Sequence, residues 1–364
     1  MKTVCEINNC NLCSACTSVC PVDCIELIDA IEFSNAIIDE NKCINCHLCE
    51  KICPRINKIQ GNAPLQWLNA FSNDSKIRDA SSSGGIASQI SYKCLDEGFY
   101  IAGCKYSIDS RSFVTTLENT YEEVEKFRGS KYVKSNMGNV IKDIIDKLKD
   151  DKKVLFIGTP CQVAGVKVVV ALKKLEKNFY TLDLICHGTP SQKIFNKFIS
   201  EYEIKEDIKR INFRKHHVMQ VSINEWKSLE KYKVMDPYMI GFLQGLFYTD
   251  NCYSCDYANK NRISDISLGD SWESEEVKKG LNLLLVNNEK GQELLKMISE
   301  KIECKEANKE LAISKNGQLS HPSIKPKQRN KFFKKYKILS FKNNIFKSYP
   351  LICFKQFIKK IIYK

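Results

Sequence analysis

The chain has 364 residues, of which 43% are hydrophobic, so it can form two or three domains around sizeable cores. No apolar run reaches the roughly 18 residues that a membrane span needs, and the opening MKTVCEINNC contains no apolar signal segment. We therefore expect a cytoplasmic protein, in which thiols stay reduced and the 18 cysteines serve as ligands and not as bridges.

The net charge of +13 is unevenly distributed along the chain. Residues 321–364 contain thirteen Lys or Arg and no acid, interleaved with aromatic side chains, whereas the rest of the chain has 43 basic and 43 acidic residues. This basic tail predicts either a loosely packed, solvated extension or peripheral docking to a membrane surface or a protein partner. Nucleic-acid binding is not expected, because no nucleic-acid-binding motif accompanies the tail.

Two repeated cysteine runs occupy residues 10–54, and each reads C-x2-C-x2-C-x3-C-P. An iron–sulfur cube needs one thiolate per iron, and two-residue gaps allow one short loop to offer three sulfurs. The fourth cysteine of each run is too distant to close the same cube and crosses to the other one. We therefore predict two [4Fe–4S] clusters, the first held by Cys10, Cys13, Cys16 and Cys53, and the second by Cys43, Cys46, Cys49 and Cys20.

This pattern resembles the bacterial-type two-cluster ferredoxins over residues 1–60, with short strands predicted at 4–8, 24–28 and 33–39. The alternatives are a disulfide framework or a pair of zinc sites, which more often show two separated C-x2-C pairs. Residues 55–66 are polar and contain a glycine and a proline, so they predict a linker between domains.

A second domain is predicted from residue 67, and its first part covers residues 67–148. A Ser/Gly-rich turn at residues 81–85 leads into a helix that begins near Ile86. Free backbone N–H groups at the start of that helix favour a phosphate or pyrophosphate. A serine N-cap without a ligand explains this turn equally well. Paired strands are predicted at 99–107 and 112–118, and Lys131 follows a Gly-Ser turn. This lysine becomes a functional candidate only if it faces a bound cofactor.

Residues 149–310 contain two successive units of buried strand, tight loop and helix. Cys161 and Cys186 follow the two strands, so parallel neighbouring strands would place both thiols in the crevice at the carboxyl edge of a sheet. Cys252 and Cys255 form a further C-x2-C pair. These four cysteines predict either a second kind of metal site or a zinc or redox pair accompanied by two buried thiols.

The stretches SSSGGIAS, FRGSKYVKS, VLFIGTPCQVAGVK, LICHGTPS, CYSCDYA and DISLGDSW resemble the family of coenzyme F-420 hydrogenase/dehydrogenase beta subunits over residues 67–310. Residues 67–310 are fused to the N-terminal ferredoxin region. The resemblance therefore implies an α+β protein whose mixed α/β, flavin-binding core has a partly parallel sheet. It implies FAD and a third [4Fe–4S] cluster held by Cys161, Cys186, Cys252 and Cys255. The implied flavin residues are Ser82, Ser83, Gly84 and Gly85 at the pyrophosphate, with Lys131 and Thr159 near the isoalloxazine or the phosphates.

Asp270 and Trp272 match the family pattern without an assigned role, and no catalytic residue is identified. The resemblance predicts an iron–sulfur flavoprotein oxidoreductase that passes electrons between clusters and FAD and exchanges a hydride with coenzyme F-420 or another small organic substrate. A ferredoxin or another redox protein is the expected electron partner, and a polysaccharide biosynthesis locus is one implied setting. The alternatives are an electron-transfer subunit whose catalytic site lies on another protein, or a redox-sensing protein without substrate chemistry.

Overall fold

The computed structural model describes residues 2–216, 218–224, 226–231 and 233–362. Its strands are β1 (Lys2–Thr3), β2 (Ile25–Asp29), β3 (Ser34–Ile38), β4 (Gln66–Ser72), β5 (Tyr100–Ser107), β6 (Ser112–Glu118), β7 (Val154–Gly158), β8 (Phe179–Leu184), β9 (Ile211–Lys215), β10 (Val218–Ile223), β11 (Lys227–Ser228), β12 (Ile266–Asp270), β13 (Asn282–Val286) and β14 (Ile302–Glu306).

The α-helices are α1 (Ala15–Val19), α2 (Leu48–Lys51), α3 (Ser75–Ala80), α4 (Ile86–Asp96), α5 (Tyr121–Glu125), α6 (Val140–Lys149), α7 (Pro160–Leu172), α8 (Gln192–Ile199), α9 (Pro237–Leu243), α10 (Glu289–Ile298), α11 (Lys309–Lys315), α12 (Arg329–Lys335), α13 (Phe341–Ser348) and α14 (Pro350–Ile362). Short 3-10 helices occupy Glu176–Asn178, Asp250–Ser254, Glu275–Lys279, Ser299–Lys301 and Gly317–Leu319.

An eight-stranded mixed sheet forms the centre of the molecule, in the order β14-β4-β13-β12-β8-β7-β5-β6. The four strands β12, β8, β7 and β5 pair in parallel, and the remaining pairings are antiparallel. Phe156 faces α6 and α7 on one side, while its neighbour Leu155 faces α4 and α10 on the other. Helices therefore cover both faces, and the predicted mixed core with a partly parallel sheet is confirmed.

The N-terminal region forms a small sheet in the order β1-β3-β2, and its loops carry the two cysteine runs. Strands β2 and β3 lie within one residue of their predicted positions, but the strand predicted at 4–8 is wrong. Those residues form a turn in which Asn8 has a φ of 64°. The turn is needed because the chain has to bend sharply to bring Cys10 back toward the other cysteines.

The N-terminal region and the sheet share one hydrophobic core. Cys13, Ala15 and Ile52 pack in the same buried cluster as side chains of α6 and α7. Segment 55–66, in which the sequence predicts a linker, runs along the core and exchanges two backbone hydrogen bonds between Asn62 and Arg262, at 2.9 and 2.8 Å. The two regions are therefore packed as one body.

The basic tail is folded over most of its length. Phe332 of α12 and Phe341 and Ile345 of α13 are fully buried in an aromatic cluster with α8 and α9. The alternative of a loosely packed extension is therefore wrong for α12 and α13, because their aromatic side chains complete this core. Helix α14 rests on α13 and α9, and none of its residues is buried. No helix within the described ranges is both long enough and apolar enough to cross a bilayer.

Candidate iron–sulfur and cofactor site

The first ferredoxin cavity lies between the N-terminal sheet and the core. Positive φ angles at Leu12 and Ser14, 54° and 61°, curl the first loop so that its thiols converge. The cavity is lined by the cysteines predicted for the first cluster together with one more thiol: Cys10, Cys13, Cys16, Cys53 and Cys5. A hydrogen bond from the Cys5 thiol is the main cause that lowers the pKa of Cys53 to about 6. Thiolate is the form that binds iron.

The second ferredoxin cavity repeats this arrangement nearer to the surface. Asn45 and His47 have φ angles of 54° and 55° and curl the second loop in the same way. The thiols that line it are Cys20, Cys43, Cys46, Cys49 and the additional Cys24. The structure thus groups Cys20 with the second run and Cys53 with the first, which is the crossed grouping that the spacing predicts.

The cysteines are free thiols, all eighteen of them. No group of three or more His, Cys, Asp or Glu in the described ranges is arranged to hold a single metal ion. A four-iron cube requires a different arrangement, in which the four thiolates surround the cluster and each binds its own iron. Sets of four thiols around one cavity have the donor chemistry that such a cube requires.

The third set of cysteines gathers at the carboxyl edge of the central sheet. Strands β7 and β8 are parallel neighbours, so the crevice predicted for Cys161 and Cys186 is present. Cys161 lies in the first turn of α7, whose N-terminus Thr159 closes with a capping box to Gln162. Cys252 and Cys255 approach from the 3-10 helix that begins at Asp250, and the four thiols line one cavity. Burial raises the pKa of the Cys186 thiol, and the neighbouring thiols raise it further.

A buried ion pair supports this third cavity. The Arg262 guanidinium donates to Asp183 Oδ1 at 2.8 Å, and the side chains are 2% and 0% exposed. Arg262 also donates to the carbonyl oxygens of Tyr257 and Leu184, at 3.2 Å each. It therefore ties the loop after Cys255 to the end of β8 and places a positive charge in the cavity wall.

A larger cavity opens beside the third set, bounded by α4, the loop 127–135 and the start of α7. It contains about 870 Å³ of space free of protein atoms, part of it open to solvent. Its described lining includes three cations, Arg128, Lys131 and Lys134, and no carboxylate. Thr159 and Cys161 also line it, so this main cavity is contiguous with the third cysteine set. A wall of this charge suits an anionic ligand.

The predicted flavin residues are only partly brought together. Lys131 and Thr159 line the main cavity, whereas the turn Ser82–Gly85 does not. Ser82 Oγ accepts a hydrogen bond from Ser130 N at 2.8 Å, and a Cβ on Gly84 would lie 2.5 Å from Ala70 O. The turn therefore packs behind the loop that lines the cavity, and its small residues are explained by this close packing.

Lys134 lines the main cavity and was missed by the sequence reasoning, which singled out Lys131. The Lys131 ammonium donates to the carbonyl oxygens of Lys126, Phe127 and Arg128, and burial lowers its pKa to about 7. Lys134 is only 6% exposed and donates to Thr249 Oγ1 at 2.9 Å.

The Thr249 hydroxyl in turn lies 3.5 Å from Cys252 Sγ. Lys134 therefore brings a buried charge close to the third cysteine set. The only signal for it in the sequence is its place in FRGSKYVKS, which it shares with Lys131.

Asn11 is a second residue that the sequence reasoning missed. It lines the first ferredoxin cavity, the third cavity and the main cavity. Its Oδ1 accepts a hydrogen bond from Asn251 Nδ2 at 3.0 Å, and these two residues directly adjoin Cys10 and Cys252. The cavities of the first and third cysteine sets therefore meet the main cavity at Asn11.

Asp270 and Trp272 fall outside these cavities. The Asp270 carboxylate accepts two hydrogen bonds from Arg214, at 2.5 and 3.0 Å, and so ties β12 to β9. Trp272 is 50% exposed. The structure thus gives Asp270 a role in holding the fold.

Comparison with known proteins identifies the regions of the chain. Models of the coenzyme F-420 hydrogenase/dehydrogenase beta subunit match its N-terminal part to residues 67–142 and its C-terminal part to residues 151–310. A 4Fe–4S dicluster domain model matches residues 9–56. The resemblance inferred from the motifs is confirmed.

One subunit of the F(420)H(2) dehydrogenase of Methanosarcina mazei is 23% identical over 316 residues, which cover 82% of this chain and 84% of that protein. An uncharacterised protein of Methanocaldococcus jannaschii is 24% identical over 207 residues, covering 47% of this chain and 55% of that protein. A chain in a structure of the F-420-reducing [NiFe] hydrogenase complex of Methanosarcina barkeri aligns with a TM-score of 0.54 at 18% identity, covering 71% of this chain and 89% of that one. This last likeness concerns the fold.

Proposed function

Since the chain belongs to the family of coenzyme F-420 hydrogenase/dehydrogenase beta subunits and carries an N-terminal 4Fe–4S dicluster domain, we propose that it is a flavin-dependent member with FAD beside a third cluster. The coarser function follows from the family: the chain is an iron–sulfur electron-transfer oxidoreductase. When bound, the clusters would carry single electrons and the flavin would exchange a hydride with an organic substrate.

The convergence of the first and third cysteine-lined cavities on the main cavity carries this proposal. Cys161 belongs to the walls of both the third cavity and the main cavity, and Asn11 adds the first ferredoxin cavity. The main cavity is concave and lies beside the third cysteine set, which is the kind of place where cofactors bind. The charge of Lys134, which has no carboxylate partner among the described residues, favours a pyrophosphate-containing ligand over a neutral one, and Arg128, although ion-paired with Glu125, adds to it.

The side chains have separable roles in this proposal. Lys134 would bind phosphate oxygens, because a neutral hydroxyl is its only described hydrogen-bond partner. Arg128, which is ion-paired with Glu125, would add positive charge to the same wall. Thr159 would orient the ligand from the start of α7, and Lys131 would hold the loop that lines the cavity. The third cluster would be held by the thiols of Cys161, Cys186, Cys252 and Cys255.

The second ferredoxin cavity is the proposed contact with an external redox protein. It lies at the surface, where Cys46 is exposed and the neighbouring Ile44 is 61% exposed. Electrons would pass between this surface and the main cavity, a path that we call the relay. Coenzyme F-420 or another small hydride carrier is the proposed organic substrate at the main cavity. The names of the relatives support coenzyme F-420 as the substrate.

Cofactor content tests the proposal directly. The anaerobically purified chain is expected to contain about twelve irons and one FAD, because three four-iron cubes need twelve irons. Cys252→Ser removes one proposed ligand and is expected to lower the iron content by about a third while leaving the ferredoxin clusters in place. Iron, acid-labile sulfide and extracted flavin are measured on the same samples.

Cys304→Ser is the matched control, because Cys304 is an exposed thiol of β14 that lines none of these cavities. An unchanged iron content in Cys252→Ser would reject the third ligand set. About eight irons and no flavin in the unmodified chain would reject the flavoprotein and leave a two-cluster ferredoxin domain attached to a binding module.

A second candidate function is that of an electron-transfer subunit whose substrate site lies on another protein. The observation that favours it is the fold similarity to one chain of a multi-subunit hydrogenase complex. Turnover of an organic hydride acceptor by the isolated chain, supplied with dithionite-reduced ferredoxin, would favour the enzyme. Cofactor reduction without turnover would favour the subunit.

A further inference from the structure

Helix α14 presents an uncovered apolar face to solvent. The side chains on this face are Leu351, Phe354, Phe357, Ile358, Ile361 and Ile362, and they are between 39% and 77% exposed. At 3.6 residues per turn they span an arc of roughly 140°. Isolated exposed apolar residues are ordinary, but six large ones on one short helix form a patch that requires a partner.

The opposite face of α14 fixes the helix to the protein. Gln356 Oε1 accepts a hydrogen bond from Met235 N at 3.0 Å, and Lys360 forms an ion pair with Glu230 at 2.7 Å. Ile352 and Cys353 pack against the aromatic cluster of the core. The apolar face is therefore held outward by contacts on the other side of the helix.

Charge identifies the kind of partner. Lys355 and Lys359 are four residues apart and lie along one edge of the apolar face, as 3.6 residues per turn requires. The tail 321–364 has no acid of its own, and its cations outnumber Asp250 and Glu230, the two carboxylates with which it forms ion pairs, so this end of the molecule is complementary to an anionic surface. Lysines at the edge of an apolar stripe can keep the ammonium at lipid headgroups while the stem covers apolar surface.

The length of α14 determines how it would meet a bilayer. Thirteen residues extend for about 20 Å, which is shorter than the roughly 30 Å hydrocarbon core. A short helix with an apolar face and flanking lysines lies in the plane of the interface. We propose that the exposed face of α14 docks the protein onto an anionic lipid membrane, with the apolar side chains in the headgroup region and Lys355 and Lys359 at the lipid phosphates.

Vesicle sedimentation of the full-length, cluster-loaded protein tests this proposal. Binding is expected with vesicles of phosphatidylcholine mixed with phosphatidylglycerol and not with phosphatidylcholine alone, and it should weaken as salt is raised. Phe354→Glu is expected to reduce the bound-to-free ratio at least tenfold, because it places a negative charge among the apolar contacts. Lys355→Gln with Lys359→Gln is expected to reduce it by about fivefold for each lysine.

Ile338→Glu is the matched control, because Ile338 is 79% exposed in the same tail but outside α14. The binding of Ile338→Glu should equal that of the unmodified chain. All variants should keep the iron and flavin content of the unmodified chain. The test of membrane docking is therefore independent of the proposed electron-transfer function. Three outcomes would overturn the proposal: no sedimentation with anionic vesicles, equal binding to both lipids, or loss of a dimer in Phe354→Glu, which would assign the face to a second copy of the chain.

Discussion

Lys134 is a buried cation whose surroundings are unusual for a lysine. It is 6% exposed, and within the described residues it donates to the Thr249 hydroxyl and forms no ion pair with a carboxylate. Burying an ammonium is costly unless an anion balances it. Anionic clusters and phosphates are the proposed ligands around it, so the charge balance is completed only when those ligands are bound.

Replacement of this charge should change reduction potentials. Lys134→Met is expected to lower the potential of the proposed third cluster by about 60 mV, a tenfold change for one electron, because a nearby positive charge stabilises the more negative, reduced form. The potentials are measured by redox titration followed by electron paramagnetic resonance.

Lys131→Met provides the comparison, because the Lys131 ammonium is bound by three carbonyl oxygens and the side chain lies in the same loop. Cluster potentials that move equally in both variants would contradict a specific effect of Lys134.

Residue roles were the least predictable part of the site. Spacing alone predicts the eight ferredoxin cysteines, since two-residue gaps and a closing proline reflect the geometry of a cube. The choice between Lys131 and Lys134 depends on contacts with Thr249, which lies far along the chain. No local pattern encodes such a contact, and the same is true of the Asn11 amide.

Helix α7 is the element that joins two of the cysteine sets. Cys161 lies in its first turn, and Gly165, one turn later, packs against Cys13 of the first ferredoxin loop. A Cβ on Gly165 would lie 2.5 Å from Cys13 Cβ and 2.8 Å from Cys13 Sγ. The absence of a side chain there allows the loop to approach the helix.

Gly165→Ala is therefore expected to displace Cys13 and to lower the iron content by about a third, through loss of the first cluster. Alanine is favoured over glycine in a helix by about 1 kcal/mol, but the contact with Cys13 is too short for a methyl group to be accommodated. Iron and sulfide analysis of the anaerobically purified variant checks this.

Gly317→Ala serves as the control, since a Cβ there would meet its nearest neighbour, His321 Nε2, at 3.6 Å, an ordinary contact. A full complement of iron in Gly165→Ala would show that the loop can move aside without losing its cluster.

Elements with strong periodicity or continuous apolar runs were predicted well. Strands β7 and β8, each followed by a helix, are the two buried strand–loop–helix units expected within residues 149–310, because continuous apolar runs indicate buried strands. The turn at 4–8 was mistaken for a strand, since its alternation of residue types is too short to indicate the sharp bend. The burial of α12 and α13 depends on aromatic partners in α8 and α9, which local sequence does not reveal.

At the scale of the whole molecule, Arg329 joins three regions. Its guanidinium donates to Asp250 Oδ1 at 2.8 Å and to Glu32 O at 3.0 Å, and its side chain is 1% exposed. Glu32 lies in the hairpin between β2 and β3, whereas Asp250 begins the 3-10 helix that leads to Cys252. The tail, the ferredoxin region and the third cysteine set are thereby held together.

Arg329→Met is expected to lower the free energy of unfolding by about 1–3 kcal/mol, because it removes the buried guanidinium that links Asp250 to Glu32 O, although Lys325 still pairs with Asp250. The tail should also become cleavable under native conditions, and the rate of limited proteolysis measures this opening. Lys331→Met removes a charge from an exposed position of the same helix and should leave that rate unchanged. Equal cleavage of both variants would indicate that Arg329 does not hold the tail.

The crossed pairing of Cys20 and Cys53 has a consequence for biogenesis. On the proposed ligand sets, the second cube becomes complete when Cys49 has been synthesised and the first when Cys53 has been synthesised, so the two can be loaded almost together on a nascent chain. The third must wait for Cys255, about two hundred residues later. The cell's cluster-assembly machinery would thus act on this polypeptide in two separate episodes, one after Cys53 and one after Cys255 has been synthesised.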